Sequence, residues 1–237
     1  MQIKIWSAET GKEAATIRGH RAAILDCCIV GRGRNVVTCS RDGTARLWDV
    51  GQQAELFAWD ELGGEVNCCA LAAADNSVAL GRPDRAPSER EVLTEGKLLL
   101  LGTEAGDLLG FGLQSRQRVF DVSLGSAVNC VSFLSDVLVA AGTQAGDITL
   151  LDLRRPSEPV RRWKESRAAV LSLLPHRQGF LAAAGDGSVF RADEEYATVT
   201  ELTGSDCDAV YSLAADSTHL YAACRDGAIR KYSLAHL

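Results

Sequence analysis

The chain has 237 residues, 46% hydrophobic but only 6% aromatic, with 22 glycines, 5 prolines and a formal net charge of −6. That balance suits many short strands and tight turns, and a negative charge without a basic stripe argues against a nucleic-acid backbone as partner. No apolar run is long enough to span a bilayer as a helix, and Met1 to Trp6 lacks the features of a secretory signal, so a non-secreted protein of the cytoplasm, with the nucleus as a further location, and no membrane partner is expected.

In chain order, the first residues read as a strand ending at Trp6 and a second at 14–17. The clearest unit follows, from Gly19-His20 to Trp48-Asp49. Its strands are expected at 24–30, 35–40, 44–48 and 53–57, with Arg41-Asp42-Gly43 turning the second into the third. Asp-Gly is a strong hairpin signal because glycine accepts positive φ. Apolar first strands recur at Val66-Asn67-Cys68-Cys69, Val128-Asn129-Cys130-Val131, Val170-Leu171-Ser172-Leu173 and Val210-Tyr211-Ser212-Leu213. The last strand is expected at 229–233, which makes two strands, four units of four, and three final strands.

Five turns align on Gly43, Gly106, Gly146, Gly187 and Gly227, spaced by 63, 40, 41 and 40 residues. Five residues after each glycine a strand ends, at Trp48, Phe111, Leu151, Ala192 and Tyr232. A repeat of about 40–45 residues with Gly-His and Trp-Asp marks is that of a WD40 blade. The expected fold is therefore all-β, a WD40 β-propeller with about five to six blades present, incomplete against a seven-bladed one. One domain, 1–237, is expected, beginning in mid-blade. The long first step implies a surface insertion at about 73–97, with a short helix after Pro87 capped by Ser88 and Glu91.

Within the clearest unit, His20, Ser40, Asp42 and Trp48 have the types and order of a buried hydrogen-bond relay, which would be structural, not catalytic. Gly-His occurs only once, so most units are expected to lean on packing rather than on the polar relay. Seven of the eight cysteines, 27, 28, 39, 68, 69, 130 and 224, fall on expected strands and the eighth is Cys207. Adjacent cysteines point to opposite sheet faces and no C-x-x-C occurs, so small buried hydrophobes are expected and no metal or cofactor. Ser126, His176 and Asp186 form a triad only on paper, without a supporting motif. No small-molecule substrate is implied, and an enzyme is not expected. The basic run around Arg161-Arg162-Trp163-Lys164 reads as a solvated outer edge.

Several segments resemble the family of proteasomal ATPase-associated factors. They include Ile3-Lys4-Ile5-Trp6-Ser7-Ala8-Glu9, Ser40-Arg41-Asp42-Gly43-Thr44-Ala45-Arg46-Leu47-Trp48-Asp49, Pro87-Ser88-Glu89-Arg90-Glu91-Val92 and Leu113-Gln114-Ser115-Arg116-Gln117. The resemblance implies a non-enzymatic WD-repeat chaperone that binds ATPase subunits of the proteasome regulatory particle, and an N-terminally shortened form of it. A generic propeller adaptor, for a ubiquitin ligase or a signalling complex, is the competing reading. In either case contact is expected through the fourth-to-first-strand loops, with Arg21, Glu65, Arg167, Asp206 and Asp208, and the second-to-third-strand turns, with Arg41, Glu104, Gln144 and Arg225.

Overall fold

A computed structural model describes residues 1–84, 86–193, 195, 198–202 and 208–236. Its described strands form six antiparallel sheets, divided between two compact units, Met1–Ser123 and Leu124–Leu237.

In the first unit, β1 (Gln2–Trp6) pairs with β2 (Glu13–Arg18). Strands β3 (Ile24–Val30), β4 (Asn35–Ser40), β5 (Ala45–Asp49) and β6 (Ala54–Trp59) form a four-stranded meander. A second meander follows in β7 (Val66–Ala73), β8 (Lys97–Thr103), β9 (Asp107–Gly112) and β10 (Arg118–Ser123). In the second unit, β11 (Val128–Phe133) to β14 (Pro159–Lys164) enclose β12 (Leu138–Thr143) and β13 (Asp147–Asp152) in one sheet. Strands β15 (Val170–His176), β16 (Gly179–Ala184), β17 (Val189–Ala192) and β18 (Thr198–Leu202) make the next. Strands β19 (Val210–Ala215), β20 (His219–Cys224) and β21 (Ile229–Ser233) make a three-stranded one. The sequence expectation of two strands, four units of four and three strands is met sheet by sheet.

The repeat has a backbone signature. All five aligned glycines have positive φ, between 79° at Gly43 and 98° at Gly106. A side chain at Gly146 would also strike backbone, because its Cβ would lie 2.6 Å from the Ala168 oxygen. Each first strand slips register against its neighbour near its start, between Ile24 and Asp26, Val66 and Cys68, Val128 and Cys130, Val170 and Ser172, and Val210 and Ser212. A one-residue bulge at the same place in five sheets adds local twist to each.

Two second strands are buried throughout, β4 and β16, whereas the second strand β20 is only alternately buried. β16 accordingly reads as a continuous apolar run, whereas β4 carries the buried polar residues Asn35, Thr38 and Ser40 among its apolar ones. Between the two meanders of the first unit, Val37, Leu47, Trp59, Val66, Leu99, Leu101 and Phe111 belong to one core cluster. Outer strands are wet. β14 is exposed except at Trp163, whose ring lies 6.1 Å from Phe180 and beneath the Arg161 guanidinium at 5.1 Å. The basic run is thus the outer edge that the sequence implied.

β1 pairs with β2 alone among the described strands, and Trp6 is 56% exposed. An unpaired edge carrying an apolar ring invites strand addition. Light scattering is expected to show concentration-dependent self-association, reduced by Ile3→Lys or Trp6→Lys. A strictly monomeric species at high concentration would refute this.

Candidate functional site

The relay exists, with one member changed. Trp48 Nε1 donates to Thr38 Oγ1 at 2.8 Å, Thr38 lies 2.8 Å from His20 Nε2, and His20 Nδ1 lies 2.8 Å from Asp42 Oδ2. Ser40, expected in this chain of bonds, is not in it. Its hydroxyl donates to the Ala23 carbonyl at 2.8 Å and accepts from the Asp42 amide at 3.1 Å. The reason is position. Ser40 stands three residues before its turn glycine, as do Thr103 and Thr143, whose hydroxyls accept from Asp107 and Asp147 amides across the same turn. That place is a turn clamp. Thr38, two residues earlier on the same face of β4, is the one within reach of both rings. Gly19 explains the glycine before the histidine, since a Cβ there would come within 2.6 Å of the Trp48 ring.

Proton directions follow from the donor inventory. The Asp42 carboxylate only accepts, so it claims the His20 Nδ1 proton and leaves Nε2 of the neutral ring bare to accept from the Thr38 hydroxyl, whose oxygen accepts from the indole. The ring then carries its proton on Nδ1 and donates to an ionised Asp42. Burial pushes the His20 pKa below its ordinary 6.5, although Asp42 pulls the other way. Burial would raise Asp42, but hydrogen bonds from the Thr44 hydroxyl, the Arg21 amide and His20 outweigh it and hold the carboxyl well below the usual range. The sign for stability is the same for both groups. Below about pH 6.5 the unfolded chain binds a proton at His20 that the folded chain refuses, so stability falls as pH drops. Urea midpoints are expected to decline between pH 7 and pH 5 more steeply in the native chain than in His20→Gln. Equal slopes would remove His20 as the cause.

Among the described residues the other units show no such relay. Leu101, Ala141, Ala182 and Ala222 fill the places equivalent to Thr38 and are buried, as the expectation of packing without polar relays anticipated. The paper triad does not assemble, because strand β16 lies between the turn after His176 and the turn with Asp186. Among the described residues no group of three or more His, Cys, Asp or Glu is placed to hold a metal ion. No helix among them is long and apolar enough to cross a membrane.

Antiparallel meanders put the second-to-third turns and the fourth-to-first loops at one end of each sheet. In the first unit that end carries Arg21, Arg41, Glu65 and Glu104. Arg41 Nε meets Glu65 Oε2 at 2.9 Å, and the Glu104 amide donates to the Glu65 carbonyl at 2.9 Å. Asn67, which the sequence pattern did not single out, donates to the Glu104 carboxylate at 2.7 Å. In the second unit the corresponding loops carry Gln144, Arg167, Asp208 and Arg225. Asn129 donates to Gln144 at 3.0 Å, and Arg225 Nη2 lies 2.9 Å from Asp208 Oδ1. Asp206 lies outside the described residues. Several of these side chains are therefore pre-oriented by neighbours, although still exposed.

The insertion lies at the other end of the first unit. No helix forms after Pro87; Ser88 and Glu91 close a single turn, with the Glu91 amide donating to the Ser88 carbonyl at 2.8 Å. Buried Asn35 fastens it to β4, donating to the Arg90 carbonyl at 3.0 Å and accepting from the Val92 amide at 2.8 Å. Arg116 Nη2 meets Glu91 Oε1 at 2.6 Å, and the Ser115 hydroxyl donates to the Leu80 carbonyl.

These sheets and the relay define a WD-repeat protein of the β-propeller class. Residues 11–49 match the model of the WD domain, G-beta repeat. Within that class the chain is a relative of the proteasomal ATPase-associated factors. It is 52% identical to Proteasomal ATPase-associated factor 1 of Homo sapiens over 177 residues, 75% of this chain and 45% of that protein. It is 30% identical to 26S proteasome regulatory subunit RPN14 of Saccharomyces cerevisiae over 167 residues, 68% of this chain and 40% of that protein. The chain thus spans less than half the length of these relatives. The crystal structure of the computationally designed Ika8 protein shares the fold, at a TM-score of 0.73 and 18% identity, over 99% of this chain and 66% of that one.

Proposed function

We propose that this chain is a non-enzymatic WD-repeat chaperone that binds ATPase subunits of the proteasome regulatory particle and regulates proteasome assembly and activity. The observation that carries the reading is the run of likeness over three quarters of the chain to proteins named for association with a proteasomal ATPase. A yeast relative named as a proteasome regulatory subunit supports it independently. The generic adaptor remains the second reading, favoured by 30% identity over 105 residues, 40% of this chain, to Nuclear distribution protein PAC1 of Arthroderma otae. Pull-downs of this chain against each base ATPase and against cullin adaptors separate the two.

The contact end is tested by charge. Arg41 and Arg225 are more than half exposed in their ion pairs, so losing those pairs costs the fold little. Charged rim contacts set specificity and association rate. Reversing both arginines to glutamate is expected to weaken ATPase binding about tenfold and to change its salt dependence, without a change in melting temperature. Reversing Arg82 and Arg90, exposed on the insertion, is expected to change nothing. The opposite outcome would move the contact to the insertion end.

A further inference from the structure

The cysteines of β3 and β7 meet across two sheets. Residues 28 and 69 are one repeat period apart, so they occupy equivalent places on successive first strands, and their Sγ atoms stand 3.3 Å apart. Cys28 Sγ is also 3.3 Å from the Cys69 carbonyl oxygen. Asp26 fixes this approach. Its Oδ1 accepts from the Cys27 amide at 2.8 Å on its own strand, and its Oδ2 accepts from the Cys69 amide at 2.9 Å on the next sheet. Asp26 and Cys28 share the half-buried face of β3, while Cys27 points to solvent from the other face. Cys69 is buried, with Cys39 of β4 also hydrogen-bonded to it.

We infer that Cys28 and Cys69 are a peroxide-oxidisable dithiol whose disulfide clamps the sheet of β3 to the sheet of β7. A disulfide needs sulfurs about 2.0 Å apart, so the pair must close by about 1.3 Å. Rotation of the half-buried Cys28 side chain is the movement that this closure asks for.

The two thiols divide the work. Cys28 is the accessible one, so its thiolate attacks the peroxide. A sulfur–oxygen bond forms, the oxygen–oxygen bond breaks, and hydroxide or alkoxide leaves, giving Cys28 sulfenic acid. Cys69 resolves it. Its hydrogen bonds with Cys28 and Cys39, and then its burial, hold the thiol protonated, so it needs a base at the moment of attack. The Asp26 carboxylate is hydrogen-bonded to that thiol, and burial raises its proton affinity above that of a solvated carboxylate. The Cys69 sulfur attacks the Cys28 sulfur, a sulfur–sulfur bond forms, the sulfur–oxygen bond breaks, and the departing hydroxide takes the proton as water. Two thiols and one peroxide become one disulfide, one water and one further water or alcohol. The sulfurs lose two electrons and the peroxide oxygens gain them. The new bond ties residues 41 apart in sequence, closing a loop that spans β3 to β7.

The test uses the full chain, reduced and then exposed to hydrogen peroxide, with free thiols blocked by N-ethylmaleimide before digestion without reductant. The expected product is a peptide pair joined through Cys28 and Cys69, on a chain that has lost two hydrogens. Its melting temperature should rise and return on treatment with dithiothreitol. Cys28→Ser and Cys69→Ser should each lose the joined peptides and the shift, and a Cys27→Ser chain should keep both. Asp26→Asn should slow cross-linking while leaving sulfenic acid at Cys28 trappable by dimedone. Should a serine variant fail to fold, the peptide map of the native chain decides alone. Sulfinic or sulfonic acid at Cys28 without the joined pair, maleimide on both thiols after oxidation, or cross-linking through Cys27 instead would each overturn the inference.

Discussion

Trp48→Ala is expected to destabilise the first unit by about 3–5 kcal/mol, read as a large fall in the urea midpoint. Two effects act together. The indole is 2% exposed, so its removal leaves a cavity between Gly19, His20 and β5. The Thr38 hydroxyl, fully buried, also loses its donor. Trp48→Phe separates the two, because it keeps most of the packing and removes only the hydrogen bond, at a cost of about 1–3 kcal/mol. Thr38→Val should cost a similar amount by stranding both rings, whereas Ser40→Ala should loosen only the turn. If Ser40→Ala proved as damaging as Thr38→Val, the relay would have to run through Ser40 after all. Partner binding measured below the melting temperature should survive Trp48→Phe, since nothing in the relay faces solvent at the loop ends.

The strands were legible because two local signals agreed. Positive-φ glycines mark the turns, and apolar runs of five to seven residues lie between them. Boundaries moved by only a residue or two; the third strand of the clearest unit begins at Ala45 rather than Thr44, and the fourth ends at Trp59 rather than 57. The relay was half legible. Sequence order places two hydroxyls, Thr38 and Ser40, on one face of one strand, and period-two alternation treats them alike. What separates them is the hairpin's own geometry, which draws the residue nearest the turn into the backbone. The equivalent turn residues Thr103 and Thr143 are likewise drawn into turn backbone, at Asp107 and Asp147 four residues on, where Ser40 takes the Asp42 amide two residues on. The cysteines failed differently. The rule that neighbours on a strand diverge is sound within one sheet, and Cys27 and Cys28 do diverge. It says nothing of the next sheet, where Cys69 faces Cys28. A repeat period of 41 residues carried that information, because equivalent first-strand residues become neighbours when sheets pack face to face.

The insertion shows the same limit. Proline and charge identify 81–91 as a loop, but they do not show that it is anchored, because its anchors are distant in sequence. Asn35 lies 55 residues from Arg90, and Arg116 lies 25 from Glu91. The second large effect is expected there. The Glu91 side chain is 1% exposed, and Arg116 covers it while stacking over the Phe57 ring at 4.5 Å. Removing one partner of a buried pair leaves a charge without compensation, which costs more than the pair ever contributes. Arg116 is 28% exposed, so solvent screens part of that penalty. Arg116→Ala is therefore expected to cost about 2–3 kcal/mol, below the range for a fully buried pair. The loss should be local first. Amide exchange over 80–95 should accelerate before the sheets open, because the insertion is held by a few contacts and the meanders by many. Glu91→Gln/Arg116→Ala should recover part of the loss, since a neutral amide tolerates burial better than a lone carboxylate. A double variant no better than Arg116→Ala alone would assign the cost to the lost Phe57 contact instead of to the stranded charge.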